Sequence, residues 1–235
     1  MEGGVSVTGS SNHAERHVVL VGASRGLGRA AVEEHLRRGW RVTATVRDPA
    51  ALAELRSDAL AVETLDTTDW DAIDALGHSL ATPVDRLFVV AGIAGPSDVP
   101  IGEADPGKFG EMMLVNALAP LRLIDRWDGP VAKDGLVAVM SSSQASIALN
   151  DDAGKEAYRM SKAALNMGLR SIAARRADGR SYIAINPGWV RTAIGGPEAT
   201  LSVGQSIVGV VDTLDGRHGT PGIGFLSYDG KVLPW

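Results

Sequence analysis

From Arg16 onward, short apolar runs rich in β-branched residues alternate with longer stretches whose apolar positions recur at helical spacing, as in βαβ units that build a parallel sheet. "HVVLV" (17–21) reads as the first strand, and 27–38 as the helix after it. "RVTATV" (41–46) is a second strand, followed by a helix around 50–56, and "ALAVETL" (59–65) is a third. A helix capped by Thr68 or Asp69 leads to "VDRLFVV" (84–90). A Gly/Pro-rich loop over 92–106, a long helix ending near Trp127 and the strand "GLVAVMS" (135–141) come next. After these stand a helix holding "EAYRMSKAAL" (156–165), the strand "YIAIN" (182–186) and an amphipathic helix with Leu201, Ile207, Val208, Val211 and Leu214. "IGFLSY" (223–228) is the last strand. No fixed-period repeat or Pro/Ser linker interrupts the series, so the expected fold is one α/β domain with a doubly wound parallel sheet flanked by helices. The domain is expected over 16–235, with a short substrate loop around 192–205 and a mobile Gly/Ser/Asn-rich tail over 1–15.

Composition narrows the partners. At 235 residues and 45% hydrophobic content the chain can bury a sizeable core. A net charge of −5 and a pI near 5.5 provide no field for nucleic acid or an anionic membrane, which leaves small molecules as the expected partners. The apolar runs fall short of the roughly 20 residues that span a bilayer, and the first residues lack a signal-peptide core. A cytoplasmic location is therefore expected. Zero cysteines exclude disulfides, thiol catalysis and thiolate metal sites, and five scattered histidines suggest no metal site.

Candidate chemistry begins in "GASRGLG", between the first strand and its helix, where glycines allow a tight turn and bring backbone amides close to a phosphate. The candidate contacts are Gly22, Ser24, Arg25, Gly26, Leu27 and Gly28. An unphosphorylated adenosine ribose calls for an acid about 20 residues further on, at the end of the second strand. Arg47 stands there instead. With Arg25 it can grip a 2′-phosphate through planar guanidinium forks, so NADP(H) is favoured over NAD(H), although Asp48 is placed to offset part of the Arg47 charge. Downstream, Tyr158 and Lys162 share one helix face through their four-residue step. Tyrosine ionises near pH 10. A unit charge at about 4 Å and an effective dielectric near 20 is worth about 4 kcal/mol, or roughly three pKa units before desolvation opposes it, so Lys162 is expected to bring Tyr158 towards neutral pH.

These motifs resemble those of the short-chain dehydrogenase/reductase family of classical type. The G-x-x-x-G-x-G spacing is similar to its nucleotide fingerprint, "YRMSK" to its Y-x-x-x-K pair, "VMSSS" to its strand-five serine and "MLVNALAP" to its helix-four asparagine. "NPGWVRT" resembles its P-G-x-V-x-T segment, and the ending "FLSYDGKVLPW" its C-factor-like or sniffer-like subgroup. The resemblance implies a Rossmann-type fold and NADP(H)-dependent hydride transfer between nicotinamide and a carbonyl or alcohol. Tyr158 would be the acid/base, Lys162 its partner and the holder of the nicotinamide ribose, and Ser142 the substrate-fixing hydroxyl, with Ser143 as the alternative. Asn116 would hold a relay water, or be a helix-interior asparagine satisfying backbone groups. Asp66 would meet the adenine edge or act as a helix N-terminal acid. Ala91, Gly92, Pro187, Gly188, Val190 and Thr192 complete the implied cofactor set, and Ile93, Ala94, Trp189 and Ile194 are possible substrate walls. Where the family often has N-N-A-G, this chain has "VVAG" (89–92), a departure expected to affect stability more than chemistry. Tyr228 and Trp235 are assigned structural roles, and pairing through the Lys162 helix into a homodimer or homotetramer is expected. Two other functions fit the motifs: nucleotide-dependent signalling, and dehydration, epimerisation or isomerisation on the same scaffold.

Overall fold

The computed structural model describes residues 16–95 and 99–235, so the expected tail and the 96–98 portion of the Gly/Pro-rich loop lie outside the described residues. Seven β-branched runs form β1 (His17–Val21), β2 (Arg41–Val46), β3 (Leu60–Thr64), β4 (Val84–Val89), β5 (Val131–Met140), β6 (Ser181–Asn186) and β7 (Gly222–Ser227). They pair in parallel in the order β3-β2-β1-β4-β5-β6-β7. Both faces are covered, which is why the central strands are apolar at consecutive rather than alternate positions. On one face α1 (Gly26–Arg37) and α6 (Val203–Asp215) pack Ala31, Val32, Val210 and Leu214 over Leu20, Phe88 and Ile185. On the other, α2 (Trp70–Ser79), α4 (Ala119–Arg126) and α5 (Glu156–Arg176) bury Ile73, Leu123, Leu165 and Leu169 against Val19, Val89 and Val139, and α3 (Pro106–Met113) packs on α5. Strand order reverses between β1 and β4, which opens a crevice at the carboxyl ends there.

Local signals set the helix ends. Asp69, one of the two expected caps, accepts from the Ala72 amide at 3.0 Å, and α6 begins with a reciprocal Ser202/Gln205 capping box. The helix expected around 50–56 is a single 3₁₀ turn, Pro49–Leu52, capped by Asp48. Leu52 is the residue it buries, and one turn accomplishes that. The long helix to Trp127 is present but changes pitch, since α3 and α4 are joined by a π-helical turn, Leu114–Leu118.

One charged group in β4 sits in the core. Arg86 is fully buried, donating to Asp215 Oδ1 at 2.6 Å and to His35 Nε2 at 3.0 Å, with its guanidinium 4.5 Å from the Trp40 ring centre. Arginine can only donate, so Nε2 of His35 accepts and Nδ1 carries the proton, directed at the Ala31 carbonyl at 2.7 Å. Arg38 extends the network to Glu34 at 2.6 Å and Asp215 at 2.8 Å, joining α1, β4 and α6. Burial, and then the Arg86 charge, push the His35 pKa down to about 3.

A histidine kept neutral when folded but free to protonate when unfolded stabilises the protein fully above the unfolded pKa, near 6.5, and loses that contribution as pH falls towards about 3. Denaturant titrations from pH 7.5 down to 5 are therefore expected to show unfolding free energy falling by up to about 1.4 kcal/mol per pH unit on account of this residue. His35→Gln, which can keep both hydrogen bonds, is expected to flatten that slope.

Candidate active site

Gly22 leaves β1 with φ 89°, and a Cβ there would lie 2.6 Å from the backbone of Ala91; one on Gly28 would lie 2.1 Å from the Gly22 carbonyl oxygen. The missing side chains allow the β1–α1 turn to close onto the strand across the crevice, leaving the backbone amides at the start of α1 bare. A cleft of about 1100 Å³ opens above it. Gly22, Ser24, Arg25, Gly26, Leu27, Gly28, Arg47, Asp66, Ala91 and Gly92 line one part of it, and Pro187, Gly188, Val190 and Thr192 line another. This cradle suits a dinucleotide, with amides and glycines where phosphates need close approach and two exposed guanidiniums, Arg25 and Arg47, at its wall. The Asp48 carboxylate beside Arg47 accepts from the Ala50 amide at 2.9 Å. Asp66 accepts from the Thr68 amide at 2.8 Å and hydroxyl at 2.7 Å, bonds that, with the Arg47 charge, hold it below the usual carboxylate range. The helix N-terminal role considered for it belongs to Asp69.

Tyr158 and Lys162 reach the same cleft from the first turns of α5. The Ser142 hydroxyl accepts from the Gln144 amide at 3.2 Å and lines the cleft with Tyr158. Ser143 lines the cleft too; Ser142 is the serine whose hydroxyl draws the Tyr158 pKa down. Lys162 is 4% exposed and donates to the Met140 carbonyl at 2.9 Å, with its ammonium 5.9 Å from the Tyr158 ring centre. Burial lowers the Lys162 pKa to about 8. The expected acidification of Tyr158 is corrected: burial pushes its pKa up to about 12, the Ser142 hydrogen bond drawing it back only in part. The ammonium is turned to Met140 rather than to the phenolic oxygen, and crowding by protein atoms outweighs it even though Tyr158 keeps some surface open to the cleft.

Asn116 lies behind the cleft, fully buried in the π-helical turn. Its Oδ1 accepts from the Ile93 amide at 2.8 Å, while its Nδ2 donates to the Ile93 carbonyl at 2.9 Å and to Ser161 Oγ at 3.0 Å. The backbone it satisfies therefore belongs to the loop after β4, not to its own helix. Ile93, Trp189 and Ile194 line the cleft, and the Trp189 indole donates to the Gly195 carbonyl at 2.7 Å. Ala94, expected beside them, is exposed and outside the lining, since the Asn116 clamp ends at Ile93.

Sequence reasoning did not include Thr45, Leu65, Gln144, Lys155 and Asn186 in the lining, and it gave Tyr228 a structural role only. Thr45, Leu65, Asn186 and Tyr228 lie at or just beyond the carboxyl ends of β2, β3, β6 and β7, so strand position alone marks them as residues facing the crevice. Tyr228 also packs against the core, and Trp235 packs on Phe225 with ring centres 5.5 Å apart.

The family model for short chain dehydrogenase matches residues 16–200. The chain is 38% identical to C-signal of Myxococcus xanthus over 156 residues, 65% of this chain and 93% of that protein. A Burkholderia multivorans protein assigned to the short-chain dehydrogenases/reductases, crystallised with bound NADP, is 45% identical and superposes with a TM-score of 0.90 over 94% of this chain and 100% of that one. A carbonyl reductase of Pseudomonas aeruginosa PAO1 in complex with NADP is 38% identical with a TM-score of 0.87, again over 94% and 100% of the two chains. The chain thus belongs to the short-chain dehydrogenase/reductase family.

Proposed function

We propose that this enzyme is an NADPH-dependent carbonyl reductase in which Tyr158 delivers the proton and Ser142 fixes the carbonyl oxygen. The observation that carries this reading is the meeting of Ser142 and Tyr158 in one glycine-floored cleft, with a buried ammonium one helical turn along. NADPH would rest on the Gly22–Gly28 turn, with Arg25 and Arg47 on its 2′-phosphate and Lys162 on the nicotinamide ribose. When bound it supplies the hydride that reaches the carbonyl carbon. A phenol with a raised pKa is fully protonated at neutral pH and can donate, which suits reduction; alcohol oxidation requires it to lose that proton first. Ile93, Trp189 and Ile194 give the substrate side apolar walls. The relatives crystallised with NADP support the cofactor choice. The similarity to C-signal supports a second reading, nucleotide-dependent signalling, in which biological activity would survive loss of turnover. Self-association is part of the proposal, since Leu118 in the π-helical turn and Met167 on α5 leave 55% and 64% of their surface exposed.

Tyr158→Phe is expected to lower kcat for carbonyl reduction about 10²–10⁴-fold with NADPH affinity retained, by steady-state assay and nucleotide titration. Survival of turnover would remove the proton-donor role. Because Lys162 loses its charge above its lowered pKa, reduction is expected to hold level from pH 6 to 7.5 and to decline above about 8. Arg47→Ala is expected to raise KM for NADPH about tenfold, the worth of one charge-assisted contact, while leaving KM for NADH unchanged. Equal KM values for the two nucleotides in the parent enzyme would overturn the cofactor assignment.

A further inference from the structure

Three consecutive residues at the carboxyl end of β5 face three α5 residues spaced four apart. The Met140 carbonyl accepts from Lys162, Ser141 Oγ donates to Asn166 Oδ1 at 2.7 Å, and Ser142 lines the same cleft as Tyr158 and draws its pKa down. Tyr158, Lys162 and Asn166 therefore present one helix face to the strand end, and two of the three rungs end on residues of the proposed reaction. The middle rung is different. Asn166 is 3% exposed, lies outside the cleft lining and leaves its Nδ2 without a hydrogen-bond partner. A buried amide with an unpaired donor costs stability, and a leucine of similar size would avoid that cost, so packing does not account for the residue. Its carbonyl oxygen does have a partner in Ser141, which is 2% exposed and whose amide is bound to the Ile185 carbonyl of β6 at 2.8 Å.

We propose that Asn166 is a positioning residue: by holding Ser141 it sets the height of β5 against α5 and so keeps the Ser142 hydroxyl at that of Tyr158. Apolar packing of Leu165 and Leu169 on Val139 holds the layers together without a directional bond, and without this rung the remaining polar tie from the strand end to α5 is the flexible Lys162 side chain. That allows a slip along the helix axis, and a shift of about 1 Å at a reacting centre is enough to cost up to about 10²-fold in rate.

The inference rests on the acid/base reading of Tyr158, so Tyr158→Phe is assayed alongside. Ser141→Ala, Asn166→Leu and the double variant are compared in aldehyde reduction with NADPH and in the reverse alcohol oxidation. Each single change is expected to lower kcat about tenfold with KM for NADPH within about twofold, and the double variant to be no slower than the slower single one, because both remove the same rung. The rise of alcohol oxidation with pH is expected to move upward in each, since a displaced Ser142 hydroxyl no longer draws the phenol down; a purely structural loss would leave it in place. Ser141→Thr, which keeps the hydroxyl, is expected to recover part of the loss. Parent-like kcat and pH profile in Ser141→Ala, or losses that multiply in the double variant, would overturn the proposal while an inactive Tyr158→Phe left the reductase reading intact. Turnover in Tyr158→Phe would remove both. If Asn166→Leu does not fold, Ser141→Ala and Ser141→Thr decide the question.

Discussion

Lys162 carries its ammonium into a space that is 4% exposed, where it donates to the Met140 carbonyl at 2.9 Å. A cation in such a place must be satisfied by fixed groups, because water is no longer there to do it. The end of β5 therefore has to meet α5 at one height. That same height brings Ser141 to Asn166 and sets Ser142 in the cleft with Tyr158. The cleft chemistry thus depends on a helix-to-strand contact made beneath it.

The opposite face of the sheet solves a similar problem with a different set of partners. Arg86 is wholly buried there and donates through its two terminal nitrogens to Asp215 and a neutral His35, with Trp40 beneath its guanidinium. Removing a single partner from such a group leaves an uncompensated charge, so the network ties α1 and α6 to β4 as a unit. The two buried cations differ in use. Arg86 is enclosed by protein partners, whereas Lys162 borders a cleft where its charge remains available to a bound molecule.

The glycine loop shows how far local pattern can be read. "GASRGLG" between a strand and a helix indicates backbone meeting a phosphate, and the close approach of Gly22 to Ala91 supplies the spatial reason for its first glycine. The cap at Asp69 and all seven strands were likewise legible, because each depends on neighbours within a few residues. The stretch around 50–56 misled because over a single turn the 3₁₀ and α periods, about 3.0 and 3.6 residues, place apolar side chains nearly alike. Asn116 was legible as a candidate but not in its geometry, since a π-helical turn aims it at Ile93.

Element order, the four-residue step from Tyr158 to Lys162 and the glycine spacing are covalent facts, and periodicity carries them directly into a doubly wound sheet with a nucleotide cradle. The partner chosen by Tyr158 among three serines, the direction of its pKa and the burial of Arg86 depend instead on distances between residues far apart in the chain. Arg86 and Asp215 are separated by 129 positions, yet lie 2.6 Å apart. Such contacts, and the loss of water that gives them their strength, come into being only when the layers close.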